Sequence, residues 1–75
     1  MEQYRNKEGH SGVTAYKIEP EGILVEFNHD AAYRYTYASA GKKTIEKMKN
    51  LAKEGKGLST YISRDVRDKF EEKIR

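Results

Sequence analysis

Between Val13 and Ala38 apolar and polar side chains tend to alternate, whereas beyond Lys42 the apolar ones recur every three or four positions. That change of period, from two to 3.6, divides the chain into a strand-forming half and a helix-forming half. Val13 to Glu19 is the first predicted strand. Pro20-Glu21-Gly22 then offers a pre-set φ followed by a residue free to take positive φ, the chemistry of a hairpin turn. Ile23 to Phe27 is the second strand, with Ile23, Val25 and Phe27 on one face and Leu24 and Glu26 on the other. Asn28-His29-Asp30 is the next turn, since Asn and Asp tolerate a left-handed backbone and bond their own chain. Ala32 to Ala38 is the third strand. It carries Tyr33, Tyr35 and Tyr37 on one face, with Arg34 and Thr36 on the other. Short connections make the three strands an antiparallel meander.

Ser39 can cap a helix running from about Gly41 to Glu54. Ile45, Met48, Leu51 and Ala52 form its apolar stripe, and Lys42, Lys43, Lys47, Lys49 and Lys53 cover most of the rest. Gly55 and Gly57 stop it. Leu58, Ile62, Val66, Phe70 and Ile74 then recur every four residues, which predicts a second helical stripe to the end of the chain, either one helix or two with Ser63 as an internal cap. The expected fold class is α+β, a three-stranded antiparallel meander followed by two or three α-helices packed on one face of the sheet. Residues 1–12 read as a polar N-terminal tail around Gly9, His10, Ser11 and Gly12, and residues 13–75 as a single domain.

Seventy-five residues leave room for only one modest core. The chain has no cysteine, which excludes disulfides, thiolate nucleophiles and cysteine-based zinc sites. His10 and His29 are its two histidines, too few for a histidine-rich metal site. No apolar run approaches the roughly 20 residues of a membrane span, and Met1 to Arg5 has no signal-peptide character, so a soluble cytoplasmic protein is the expectation. Net charge is +3, unevenly spread: residues 1–40 carry four Lys/Arg against six Asp/Glu, and residues 41–75 carry eleven against six. An anionic partner would be drawn to the second half.

The order of features resembles the KTSC domain, a small unit found at the C-terminus of some lysyl-tRNA synthetases and as free-standing bacterial proteins. The resemblance spans about residues 11 to 70. It is carried by Leu24-Val25-Glu26-Phe27 closing a hairpin and by Tyr33-Arg34-Tyr35, similar to that family's tyrosine-any-tyrosine motif. Leu51-Ala52 on a helix, the glycine stop at Gly55, and Tyr61-Ile62 before Arg64 complete it. His29-Asp30-Ala31 stands where the family often has a glycine, and Ser59 or Thr60 where it often has an asparagine. The resemblance implies the α+β fold and, through the attachment to a tRNA synthetase, RNA binding.

Two readings of the tyrosine face stay open from the residues alone. The rings can pack beneath the helices, as Ile23, Val25 and Phe27 need apolar neighbours across the ladder. Arg34 would then face solvent, able to pair with Glu26. Alternatively Tyr33, Tyr35 and Tyr37 stack on unpaired bases while Arg34, Lys42, Lys43, Lys47 and Lys49 meet phosphates. These eight residues are the candidate nucleic-acid site. Single-stranded RNA is the expected partner, and a protein partner or self-association is the alternative. Capture of a small nucleotide between tyrosines is a weaker one. No enzyme is expected: His29-Asp30 has no nucleophile or third member, and phosphate-binding glycine motifs are missing. No cofactor, metal or membrane partner is expected either.

Overall fold

A computed structural model describes residues 1–75 apart from Glu8 and His10. The part of the expected tail that falls on those two residues lies outside the described ones. Among the described residues the fold is α+β, an antiparallel sheet of five strands in the order β1-β2-β3-β4-β5 with three helices. The strands are β1 (Glu2–Gln3), β2 (Val13–Glu19), β3 (Gly22–Phe27), β4 (Ala31–Thr36) and β5 (Glu72–Lys73). The helices are α1 (Tyr37–Ala40), α2 (Lys42–Glu54) and α3 (Leu58–Tyr61), the last running on into a π-helical turn, Ile62–Val66.

The expected meander is the centre of this sheet, and the two extra strands are a correction to it. β1 pairs with β2 through Glu2 opposite Tyr16 and Gln3 opposite Ala15. β5 pairs with β4 through Lys73 opposite Tyr33 and Glu72 opposite Arg34. Each edge strand is two polar residues long, too short to show any period. Tyr4, inside the stretch expected as a tail, is 3% exposed and belongs to the core.

Cross-strand partners share a face, so the register sorts the sheet. Tyr16, Val25 and Tyr33 align, as do Ile23 and Tyr35. This face takes the helices: Ile45, Met48, Ala52, Leu58, Ile62 and Val66 close over Tyr4, Val13, Tyr16, Ile23, Val25 and Tyr35. Burying each large side chain stabilises the fold by about 1.5–3 kcal/mol. The other face carries Lys17, Leu24 and Arg34 in one row.

Two turns follow their predicted chemistry in part. Asn28 and His29 both take positive φ, 54° and 56°. Gly22, expected for its freedom at φ, is not among the positive-φ residues; it matters because a Cβ there would collide with the Tyr35 carbonyl oxygen. Gly55 does need its conformation: at φ 79° it ends α2, and its amide bonds the Leu51 carbonyl.

The last stretch departs most from expectation. Helical structure stops at Val66, with the Arg67 amide bonding back five residues to the Ile62 carbonyl at 2.5 Å. Arg67 then adopts φ 53° and ψ −120°, which reverses the chain. Ser63 lies exposed inside the turn and caps nothing. Phe70 and Ile74 therefore leave the stripe. Phe70 folds under the sheet, 4.7 Å from Tyr33 between ring centroids, while Ile74 is 42% exposed.

Candidate nucleic-acid interface

The tyrosine face points inward. Tyr35 is 2% exposed, and burial pushes its hydroxyl up to about 12, with the neighbouring Tyr33 adding to the effect. Tyr33 is half-buried in an aromatic group with Phe70 and with Phe27, whose centroid is 5.9 Å away. Tyr35 is therefore closed to a base, and Tyr33 has Phe70 and Phe27 already packed against its ring.

Tyr37 is not on the strand. Thr36 has extended backbone, accepts the Ser39 amide on its hydroxyl and is met in return by the Ser39 hydroxyl, a reciprocal cap that starts α1 at Tyr37. Ser39 is thus part of a cap, but of α1 and not of α2. From there Tyr37 donates its hydroxyl proton to Glu46 Oε2 at 2.6 Å. That bond holds the Tyr37 hydroxyl above its ordinary value and the Glu46 carboxyl below its own.

Arg34 lies on the opposite face of the sheet from the helices, held between carboxylates. Its Nε and one terminal nitrogen meet Glu19 at 2.9 and 3.2 Å, and the other nitrogen meets Glu72. Both carboxylates hold the guanidinium well above its ordinary value. The expected partner Glu26 is instead bonded by Thr14 and Arg75, which keep its carboxyl below the usual range. Arg34 is an organiser of the sheet rather than an exposed cation.

Lys49 is also removed from the candidate surface. It is 8% exposed, with Nζ 3.4 Å from the Pro20 carbonyl, 3.3 Å from Glu46 and 5.4 Å from the Tyr37 centroid. Its position four residues after Ile45 places it on the buried side of α2. Lys42, Lys43 and Lys47 remain exposed. Among the described residues, neither Lys43 nor Lys47 has a carboxylate within 4 Å. With Lys53 and Lys56 they make five exposed cations beside the exposed carboxylates of Glu46 and Glu54.

The residue missing from the sequence-derived site is Tyr61. It precedes Ile62 and therefore stands beside the buried stripe rather than on it. Its ring is half-exposed, with Lys47 Nζ 5.6 Å from the centroid. Two open depressions meet at Lys47, Leu51 and Tyr61. One, about 670 Å³, extends to Gly57, Thr60, Arg64 and Asp65. The other, about 550 Å³, extends to Lys43, Asn50 and Glu54. Together they form a shallow groove between α2 and α3 with an aromatic ring at its centre. Lys43, Lys47 and Arg64 line it against Glu46, Glu54 and Asp65, with Glu46 already engaged by Tyr37 and Lys49.

His29 is 79% exposed on its turn, 3.8 Å from Glu26. Among the described residues no cluster of three or more His, Cys, Asp or Glu is placed to hold a metal ion. Among them, too, no helix is long and apolar enough to cross a membrane. No protein-family model, curated protein or solved structure matches this chain.

Proposed function

We propose that this domain is a non-enzymatic module that binds single-stranded nucleic acid, RNA foremost, along the exposed face of α2 and the groove beside α3. The observation that carries the reading is the Lys47 ammonium set over the half-exposed Tyr61 ring, with Lys42 and Lys43 free of the core on the same helix. A base stacking on Tyr61 would bring its phosphates within reach of these lysines. The first turn of α2 adds support: Lys42 and Lys43 sit where the helix dipole is already positive, with no acidic residue there and no side-chain cap. Cations at that end lower helix stability slightly, and an anion would offset the cost. The resemblance to the KTSC domain, and a cytoplasmic location with it, belong to the same reading.

A protein partner is the second reading, favoured by Glu54 and Asp65 among the groove's cations. Anisotropy of a fluorescent single-stranded RNA, titrated with the domain at low and at physiological salt, separates the two. Three phosphate contacts give a slope of about −2 in log affinity against log salt, with affinity in the micromolar range. The triple variant K42E/K43E/K47E should lose binding while keeping its far-UV spectrum. Binding retained in that variant, or none in the wild type, would remove the nucleic-acid reading.

A further inference from the structure

The C-terminal residues 69–75 cover the outer edge of β4, with Phe70 as their apolar anchor. All side chains from Glu71 to Arg75 are exposed, and β5 itself is two residues long. A segment with one half-buried ring, Phe70, and otherwise surface bonds opens locally at a fraction of the cost of global unfolding. The backbone leading into it is strained. Arg67 holds φ 53° and ψ −120°, a region that disfavours any side chain, directly after a π-helical turn. Opening of the segment allows Arg67 to relax.

What an opened segment would leave behind is specific. The carbonyls of Ala32 and Arg34, which accept from the Ile74 and Glu71 amides at 2.7 Å each, would lose their partners. Tyr33 would lose Phe70 and the Lys73 ammonium, now 5.9 Å from its ring centroid. Such an edge pairs readily with another strand. Its side chains select which one: Arg34 takes Glu72, Glu26 takes Arg75, and Thr36 donates to Glu71 at 2.7 Å. The sequence that satisfies this pattern is the chain's own C-terminus.

We infer that residues 69–75 are exchangeable between two copies of this chain, each lending its C-terminal strand to β4 of the other. The contacts that Phe70 to Arg75 make with β4 in the closed monomer are re-formed in the exchanged dimer, so hinge strain and concentration set the balance. The inference is independent of nucleic-acid binding, which uses α2 and α3.

Charge reversal across one contact tests it. In R34E the acceptor edge and the chain's own Glu72 repel, and in E72R the strand and its own Arg34 repel. Exchange between the two variants re-pairs opposite charges at both edges. Equimolar mixing at about 1 mM should double the scattering mass from 8.7 kDa, while each variant alone stays smaller. R67G, which relieves the hinge in place, should weaken wild-type self-association roughly tenfold. Should a variant fail to fold by circular dichroism, wild-type chain mixed from isotope-labelled and unlabelled copies gives the same answer. Magnetisation transfer between Tyr33 of one copy and Lys73 of the other is then expected. A wild type that remains monomeric at this concentration overturns the inference, as does a dimer that each charge variant forms equally well alone.

Discussion

The phenolic oxygen of Tyr4 accepts the amide proton of Leu58 at 3.2 Å, capping α3 from the opposite end of the chain. Gly57, the residue before α3, has no side chain to do so. The N-terminal segment is drawn to this place by the Tyr4 amide, which bonds the Thr14 carbonyl at 3.0 Å. Y4F keeps the ring and deletes the acceptor, leaving a buried amide without that partner, at a cost of about 1–3 kcal/mol. Y4A also opens a cavity, and about 3–5 kcal/mol is expected in total. Urea unfolding should show lower midpoints at unchanged slope. A midpoint for Y4F equal to wild type would show that the cap contributes nothing.

Gly22 makes a second contact that admits no larger residue. It lies opposite Thr36 where β3 meets β4, and an added Cβ would run into the Tyr35 carbonyl and crowd Thr36. Because the obstruction is backbone, G22A must push two central strands apart, and a loss of about 1–3 kcal/mol is expected. Thermal melting followed by circular dichroism reads this. A melt unchanged by G22A would mean that the hairpin shifts freely.

The strands β2 to β4 were legible because Tyr16, Ile23, Val25 and Tyr35 are large, apolar and on period two, a pattern that a half-buried sheet imposes. Lys49 was equally legible in principle. Ile45, Met48, Lys49 and Ala52 occupy one side of α2, so its stem had to run along the core while its ammonium found Pro20 and Glu46. Charge alone puts it on the solvent side. Other features had no local signal. The Leu58 to Ile74 spacing continues past Val66 although Arg67 turns the chain, and nothing in a four-residue period announces a π-helical turn. Arg34 could not be placed without β5, since half of its partners arrive on a strand of two polar residues. Tyr61 carries no such signal either, since it stands next to the Leu58–Ile62 stripe rather than on it, and a ring beside a stripe is inconspicuous.

Acid should destabilise the fold through two carboxyls that bond in the native state. Glu26 is held below its ordinary value by Thr14 first and Arg75 next, and Glu46 by Tyr37 and then Lys49. For a depressed carboxyl the unfolded chain takes up its proton first as pH falls, so stability rises with pH across that interval. The contribution is complete above the unfolded value of 4.5 and disappears as pH drops through the lower folded values. Melting temperatures between pH 6 and pH 3 should fall for the wild type and fall less steeply for E26Q, since its amide does not titrate. Equal slopes for both would exclude Glu26 as a contributor.

Tyr61 and the lysines should fail in different ways if α2 and α3 bind RNA. Removing a stacking ring weakens binding by about 1–3 kcal/mol per base and leaves the salt dependence intact. Y61A should therefore lose roughly five- to 150-fold in affinity, and Y61F, which keeps the ring, almost nothing. K47E removes a phosphate contact, so its log–log salt slope should be shallower by about 0.7 on a single strand. It also places a carboxylate beside the ring in place of the cation 5.6 Å from its centroid, which weakens stacking further. R34A serves as the contrast. Its guanidinium is engaged by Glu19 and Glu72 on the other face of the sheet, so RNA affinity should be unchanged while the melting temperature falls. Anisotropy titrations of all four variants at two salt concentrations decide the matter. Affinity lost in R34A but kept in Y61A would return the site to the Tyr-Arg-Tyr strand.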